Sequence, residues 1–293
     1  MKNLKILLLC LVILPALLSA CRDDMPELGS PIDKSSLSYS IEPNPNEPNM
    51  IILESLTPNV IPYWYTPDGL STRVKDTVRI PFPGNYKFLY ATQGEGGFVA
   101  DDSLTLNITT TNLSYLSDPL WTYLSGGVGE EKSWVLDTDG VYFDGPITFF
   151  GSENGWLEGG EDGCYGDDCW SWPPSAEQAV NDDIVAAGDH GVMTFSLKNN
   201  SATFTATKPQ EGDITETSSF RINVNAKTLS IPSASILRSY KPSKDGIRGV
   251  SNWNNYAIFS LTPDELRLGV LRDQDVDGEG IAYLVYNFIP KED

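Results

Sequence analysis

Apolar positions in this chain fall into two regimes. Ile6 to Leu17 form one apolar run of 12 residues behind Lys2 and Lys5. Further on, apolar residues recur mainly at every second position in short runs, the period of a half-buried strand. In the first third, Ile51–Leu53 and Thr77–Ile80 are short strand candidates and Tyr86–Ala91 and Ser103–Ile108 alternate, the last with Leu104, Leu106 and Ile108 on one face. After Asn112–Pro119, which reads as a hinge, strands are expected at Ser133–Leu136, Gly191–Leu197, Ala202–Ala206, Phe220–Val224, Thr228–Ile231, Tyr256–Leu261, Glu265–Leu271 and Ala282–Phe288. Asn225-Ala226-Lys227 and Lys198-Asn199-Asn200-Ser201 join neighbouring strands as tight hairpins. Long amphipathic helical stretches are absent, whereas Gly (25) and Pro (20) supply turns. The pattern predicts an all-β protein: an N-terminal immunoglobulin-like sandwich over 36–112 and a larger jelly-roll-type β-sandwich over 113–293.

The N-terminal run is too short to span a bilayer, which needs about 20 residues. With its positive flank it has the form of a cleaved export signal over 1–20. Leu18-Ser19-Ala20-Cys21 resembles a bacterial lipobox, in which Cys21 is lipidated and becomes the first residue. Arg22-Asp23-Asp24 resembles the surface-export tract of Bacteroidetes lipoproteins, and residues 21–35, polar with Pro26, Gly29 and Pro31, read as a tether. These resemblances imply a lipid-anchored protein of the outer membrane, displayed to the exterior.

Charge narrows the partners. The chain carries a formal charge of −20, and loss of Lys2 and Lys5 with the signal would take it to −22. Such a surface repels nucleic acid and anionic headgroups. No basic patch stands out against it. Of the four cysteines, Cys10 leaves with the signal and Cys21 takes lipid. Cys164 and Cys169 remain as a disulfide pair, or as the weaker start of a zinc site whose only histidine would be His190.

The aromatic residues point to a ligand. Trp156, Tyr165, Trp170 and Trp172 fall within a Gly-rich acidic stretch that also holds Glu158, Asp167 and Asp168, with Asn154 just before it. An indole on a loop offers an apolar face to a pyranose ring, while carboxylates and amides bond its hydroxyls. A Cys164–Cys169 staple would stiffen that loop. The alternative is that Trp170 and Trp172 fold back beside Pro173 and Pro174 to cap the sandwich. Trp253 is a second stacking candidate, core packing being its alternative, and Trp134 reads as core. Asp273, Asp275 and Asp277, followed by Gly278, form the first half of a calcium loop. The twelfth position is Leu284 and no flanking helices are expected, so a solvated acidic hairpin is the other reading. Asp182, Asp183 and Asp189 make a looser acidic group.

Two family resemblances extend this picture. Thr77-Val78-Arg79-Ile80-Pro81-Phe82-Pro83-Gly84-Asn85-Tyr86 resembles the late strands of PKD-type modules, which serve mostly as spacers. Leu124-Ser125-Gly126-Gly127, Lys132-Ser133-Trp134-Val135-Leu136-Asp137, Asp144-Gly145-Pro146 and Asn181-Asp182-Asp183 are similar to motifs of a Bacteroidetes C-terminal domain. Leu268–Asp273 and Tyr283–Phe288 fit its closing strands. That domain occurs in surface glycan-binding lipoproteins and as an appendage of laminarinase-type enzymes. The resemblance implies non-catalytic capture of polysaccharide, a β-glucan-like chain being favoured, beside an outer-membrane importer of the starch-utilisation type. A glycoside hydrolase and a structural or adhesive surface protein are the rival classes. The Glu-x-Asp-x-x-Glu strand of laminarinase-type hydrolases is absent, as are Gly-x-Ser-x-Gly and nucleotide-binding fingerprints.

Overall fold

The computed structural model describes residues 29–30, 32–151, 171–239, 247–278 and 280–292. It is all-β, built from antiparallel sheets around two hydrophobic cores. Cys21 and residues 1–20, expected as an export signal, lie outside the described residues, and among those described no helix is long and apolar enough to cross a membrane.

The first core lies between two small sheets. One is β1 (Tyr39–Asn44), β2 (Glu47–Ser55) and β5 (Lys75–Arg79), in the order β1-β2-β5. The other contains β3 (Ile61–Thr66), β4 (Gly69–Ser71), β6 (Gly84–Gly94), β7 (Gly97–Ala100) and β8 (Leu104–Ile108). Alternation sends Ile51 and Leu53 inward from β2, and Phe88 and Tyr90 inward from β6, onto the buried Trp64. The Trp64 indole N–H donates to the Arg73 carbonyl at 2.8 Å, satisfying its one polar atom. Leu104, Leu106 and Ile108 alternate along β8, with Leu104 exposed at its start and Ile108 buried at its end.

Asn112–Pro119 is folded rather than an open hinge. It makes a 3-10 turn at Leu113–Leu116 and then starts α1 (Pro119–Ser125). Asp118 caps α1 through Leu120 N at 2.9 Å, Pro119 occupies its first turn, and Gly126 ends it at φ 84°. Leu116, Trp121 and Leu124 enter the second core, and so does Phe82 from the first unit.

The second unit is one sheet of 11 strands. They are β9 (Glu131–Leu136), β10 (Ile147–Gly151), β11 (Ser171–Trp172), β12 (Val192–Ser196), β13 (Thr203–Lys208) and β14 (Ile214–Ser219). The rest are β15 (Arg221–Asn223), β16 (Thr228–Ser230), β17 (Asn255–Leu261), β18 (Leu266–Arg272) and β19 (Ala282–Pro290). A short helix, α2 (Ala176–Asn181), follows β11. The strand path runs β14-β13-β12-β9-β19-β18-β17-β16-β15. Its two ends, β14 and β15, are consecutive in the chain and separated only by Phe220. A single bent run of chain thus brings the ladder back on itself as a near-closed, barrel-like sheet, consistent with the expected β-sandwich. Phe220 is buried at the bend, with ring centroids 5.1 Å from Phe195 and 5.9 Å from Trp121.

The Lys132-x-Trp134-x-x-Asp137 motif has a structural explanation. Trp134 is fully buried and donates its indole N–H to Leu124 O at 2.9 Å. The Lys132 ammonium lies 4.2 Å from the Trp134 ring centroid and donates to the Tyr123 and Pro263 carbonyls. The buried Asp137 carboxylate accepts from the backbone N–H groups of Val141 (2.7 Å), Tyr142 (3.0 Å) and Phe143 (2.7 Å). One acid therefore holds the whole turn that follows β9.

Candidate functional site

Cross-strand register places several sequence-distant features at one end of the barrel. Gly151 of β10 pairs with Ala282 of β19, and Ala282 pairs with Arg272 of β18. The chain therefore leaves β10, leaves β18 and enters β19 along one row. The segment before β17 arrives beside them, since Ala257 pairs with Gly269 and the strands run antiparallel. This rim gathers the Asp-rich loop after Arg272 and the approach to Trp253. The ends of the tryptophan-rich segment, Gly151 and Ser171, are there as well.

Hydrogen bonds fix the two described loops to each other. Ser251 donates through its backbone N–H to Asp273 Oδ1 at 3.0 Å and through its hydroxyl to Oδ2. Gln274 N donates to Gly249 O at 3.1 Å. Gly249 sits at φ 74°, where an added Cβ would come within 2.9 Å of the Arg272 side chain and 2.7 Å of Val276. Glycine is required there both by the backbone and by the close approach. Arg248 pairs with Asp277 at 2.9 Å, and Asp275 Oδ1 accepts from Gly278 N at 2.9 Å. Hydrogen bonds from Ser251 hold the Asp273 carboxyl below the usual carboxylate range, and the Arg248 guanidinium does the same for Asp277.

Between these loops lies an open cleft of about 450 Å³, with Arg238, Arg248, Trp253, Gln274, Asp275 and Asp277 on its walls. Trp253 is half-buried. The Arg238 guanidinium carbon stands 4.2 Å from its ring centroid, and the buried Tyr286 ring packs at 6.0 Å and 60°. The Arg238 backbone is itself fixed, its carbonyl lying 3.0 Å from His190 Nδ1, while His190 Nε2 lies 2.8 Å from Ala186 O. His190 is thus a buried brace between two carbonyls. Trp253 packs in part against the second core, the alternative to ligand stacking, and Arg238 covers one face and presents guanidinium donors above the indole.

Trp172 stands on β11 opposite Phe149, stacked at 5.3 Å and 25°, with 38% of its surface exposed. One ring face seals the buried Phe149 and the remainder faces solvent, so the capping and ligand-facing readings both describe part of it. Asn154, Trp156, Glu158, Tyr165, Asp167, Asp168 and Trp170, and the pair Cys164 and Cys169, lie outside the described residues.

The Asp-rich loop, expected as a calcium turn or a solvated acidic hairpin, makes local contacts. Asp273 is engaged by Ser251 and Asp277 by Arg248, and among the described residues no three His, Cys, Asp or Glu side chains group so as to hold a metal ion. The looser acidic group also has local work: Asp189 Oδ1 accepts from Gly191 N at 2.7 Å in a turn. Arg238, Arg248 and Gln274 were not anticipated. A signal existed, since residues 238–248 carry Arg238, Lys241, Lys244 and Arg248 in an otherwise acidic chain, contrary to the reading that no basic patch stands out.

Chemically, the cleft offers guanidinium and amide donors, carboxylate acceptors and a half-buried indole within one open volume. That combination suits a polyhydroxylated ligand, which needs donors and acceptors in alternation beside an apolar surface. Neither the protein-family models nor the curated proteins contain a match to this chain.

Proposed function

We propose that this chain is a lipid-anchored protein of the outer membrane, facing the exterior, that captures polysaccharide without cleaving it. The convergence on one barrel rim carries the reading: the donor–acceptor cleft around Trp253, the exposed Trp172 and both ends of the tryptophan-rich segment share that end of the sheet. The resemblance to Bacteroidetes surface glycan-binding lipoproteins supports the same assignment and favours a β-glucan-like chain. In this role the lipid on Cys21 holds the protein at the membrane, and the rim raises the local glycan concentration beside an importer of the starch-utilisation type. Each contact is modest, and repeated engagement along a polymer supplies the retention.

The test is affinity electrophoresis of the full chain in gels containing plant, fungal or host glycans. Retardation by at least one neutral glycan is expected, weakened in Trp172→Ala and in Arg238→Ala. Retardation unchanged in the Trp172→Ala/Arg238→Ala double variant would remove the rim from the proposal. Steady release of reducing ends from a β-glucan would reassign the protein as a hydrolase. Complete protection of tryptophan fluorescence from acrylamide, with no glycan response, would favour a structural surface protein.

A further inference from the structure

The outer face of the five-stranded sheet in the N-terminal sandwich is poorly suited to a plain spacer. Register fixes which residues share it. Tyr65 of β3 pairs with Leu70 of β4 and Leu89 of β6, and Tyr63 pairs with Ala91. Ile61 pairs with Gln93, which in turn pairs with Phe98 of β7, while Ala91 pairs with Ala100. None of these outward positions carries a charge, although the chain as a whole has 40 acidic and 20 basic residues. Four side chains stand open to water: Leu70 is 58% exposed, Ile61 and Phe98 52%, and Tyr65 43%. Tyr63 packs edge-on to Phe98 at 5.6 Å across the buried Ala91.

The barrel treats its own outward aromatics differently. There Arg267 lies 5.5 Å from the Phe143 ring and 5.7 Å from the Phe150 ring, and is anchored to Asn287 at 3.0 Å and Thr148 at 3.1 Å. A cation thus overlays apolar rings. No such overlay is found on the Ile61–Phe98 face among the described residues.

We infer that this face is a second contact surface for a neutral polysaccharide chain, an inference that rests on the polysaccharide reading above. Three observations select that occupant. First, the patch around Tyr63 holds no ion, Lys87 standing beyond its edge at the next outward position of β6, and it suits a ligand without ions, because no charge within it must be desolvated on binding. Second, Tyr63 and Tyr65 are two residues apart on one strand, about 7 Å along it, and Phe98 stands edge-on to Tyr63, so successive aromatic rings line the patch and offer apolar surface to the C–H faces of pyranoses. Third, four side chains of roughly 150–250 Å² each, about half exposed, leave roughly 300–500 Å². A stable protein pair buries about 800 Å² per partner, and two copies of this strongly acidic chain repel each other. Gln93, within the patch, supplies one amide donor and one acceptor for hydroxyls. The sandwich would then be a second grip on the same polymer, and linked contacts multiply retention well beyond either alone.

The experiment compares the full chain with Tyr65→Ala/Phe98→Ala and with Trp172→Ala/Arg238→Ala, titrated with a long neutral β-glucan. Unchanged near-ultraviolet circular dichroism confirms folding, which these exposed positions should preserve. Each pair is expected to weaken apparent affinity for the polymer about tenfold or more. Unchanged affinity in Tyr65→Ala/Phe98→Ala overturns this inference and leaves the rim assignment standing. Loss confined to that variant keeps the sandwich face and overturns the rim. Should the wild-type chain bind no neutral glycan, both fall. Sedimentation showing self-association that Leu70→Asp abolishes would give the face to a second copy and overturn the glycan assignment.

Discussion

The two β units bury polar groups in different ways. In the sandwich the buried polar residues are Asn49, Ser55 and Thr92, all uncharged. Ser55 Oγ and Tyr90 OH share a hydrogen bond at 2.5 Å, and Tyr90 OH reaches Thr57 at 3.2 Å. The barrel buries Asp137, His190, Lys208 and Arg272 among others. These barrel side chains grip connections, and Lys208 also ties β13 to Glu216 on the neighbouring β14. Asp137 holds residues 141–143, Arg272 donates to Gly280 O at 3.3 Å, and Lys208 joins Glu216 at 2.5 Å and Ser235 at 2.7 Å. The difference follows from loop length. Strands joined by tight turns position themselves, whereas long connections need strong internal acceptors and donors to fix them. Buried charge here is the means by which the barrel fixes its loops.

The largest effect that would test this contrast is expected from Asp137→Ala. It leaves three backbone N–H groups without an acceptor in a buried turn, and about 3–5 kcal/mol of barrel stability should be lost in urea unfolding. A loss below about 1 kcal/mol would mean that the turn holds itself. Next comes Arg221→Ala. Arg221 spans the two units: it donates to Asp68 Oδ1 at 2.5 Å and Arg79 O at 2.8 Å, and lies 5.8 Å from the Tyr86 ring. Its removal should cost roughly 2–3 kcal/mol and split a shared calorimetric transition into two. A single unsplit transition would show that Phe82 and its neighbours couple the units without it.

Smaller effects refine the comparison. Ser55→Ala removes one neutral hydroxyl partner of Tyr90, and about 1 kcal/mol is expected from thermal unfolding. A cost equal to that of Asp137→Ala would erase the distinction between neutral and ionic burial. The smallest effect concerns acid. Burial alone would raise the Glu216 carboxyl, but the hydrogen bonds from Lys208 and the Ser235 N–H prevail and lower it from its ordinary value of 4.5. A carboxyl depressed in the folded state contributes stability above its unfolded value, and that contribution fades as pH falls through the folded one. Glu216→Gln should therefore flatten the stability profile below about pH 4.5, as read from denaturation midpoints across that window. An unaltered slope would assign the acid sensitivity to other carboxyls.

Strand periodicity made most of the fold legible, and the exceptions have physical causes. Every strand expected after Asn112 is present, and both hairpins form with Asn199, Asn200 and Lys227 at positive φ. The unanticipated β3 contains Pro62 between Ile61 and Tyr63, and β14 reads Ile-Thr-Glu-Thr-Ser-Ser, with too few apolar residues to show a period. Barrel closure was also invisible, because nothing local marks Phe220 as a bend. Of the site, Trp172, Trp253 and the Asp273–Gly278 loop were legible as chemistry, but their shared rim was not. Cross-strand register, a long-range property, brings Arg272, Ala282 and Gly151 into one row. Arg238 and Arg248 give no motif at all; only their unusual charge in an acidic chain marks them.

The bend at Phe220 has one more consequence. An open ladder ends in strands whose outer N–H and C=O groups can recruit a stranger's strand, the first step toward fibrous deposits. In the barrel the two end strands, β14 and the three-residue β15, are short and joined through Phe220 alone, which limits the edge a stranger could extend. Such a shape limits the chance that partial fraying zips neighbouring molecules together.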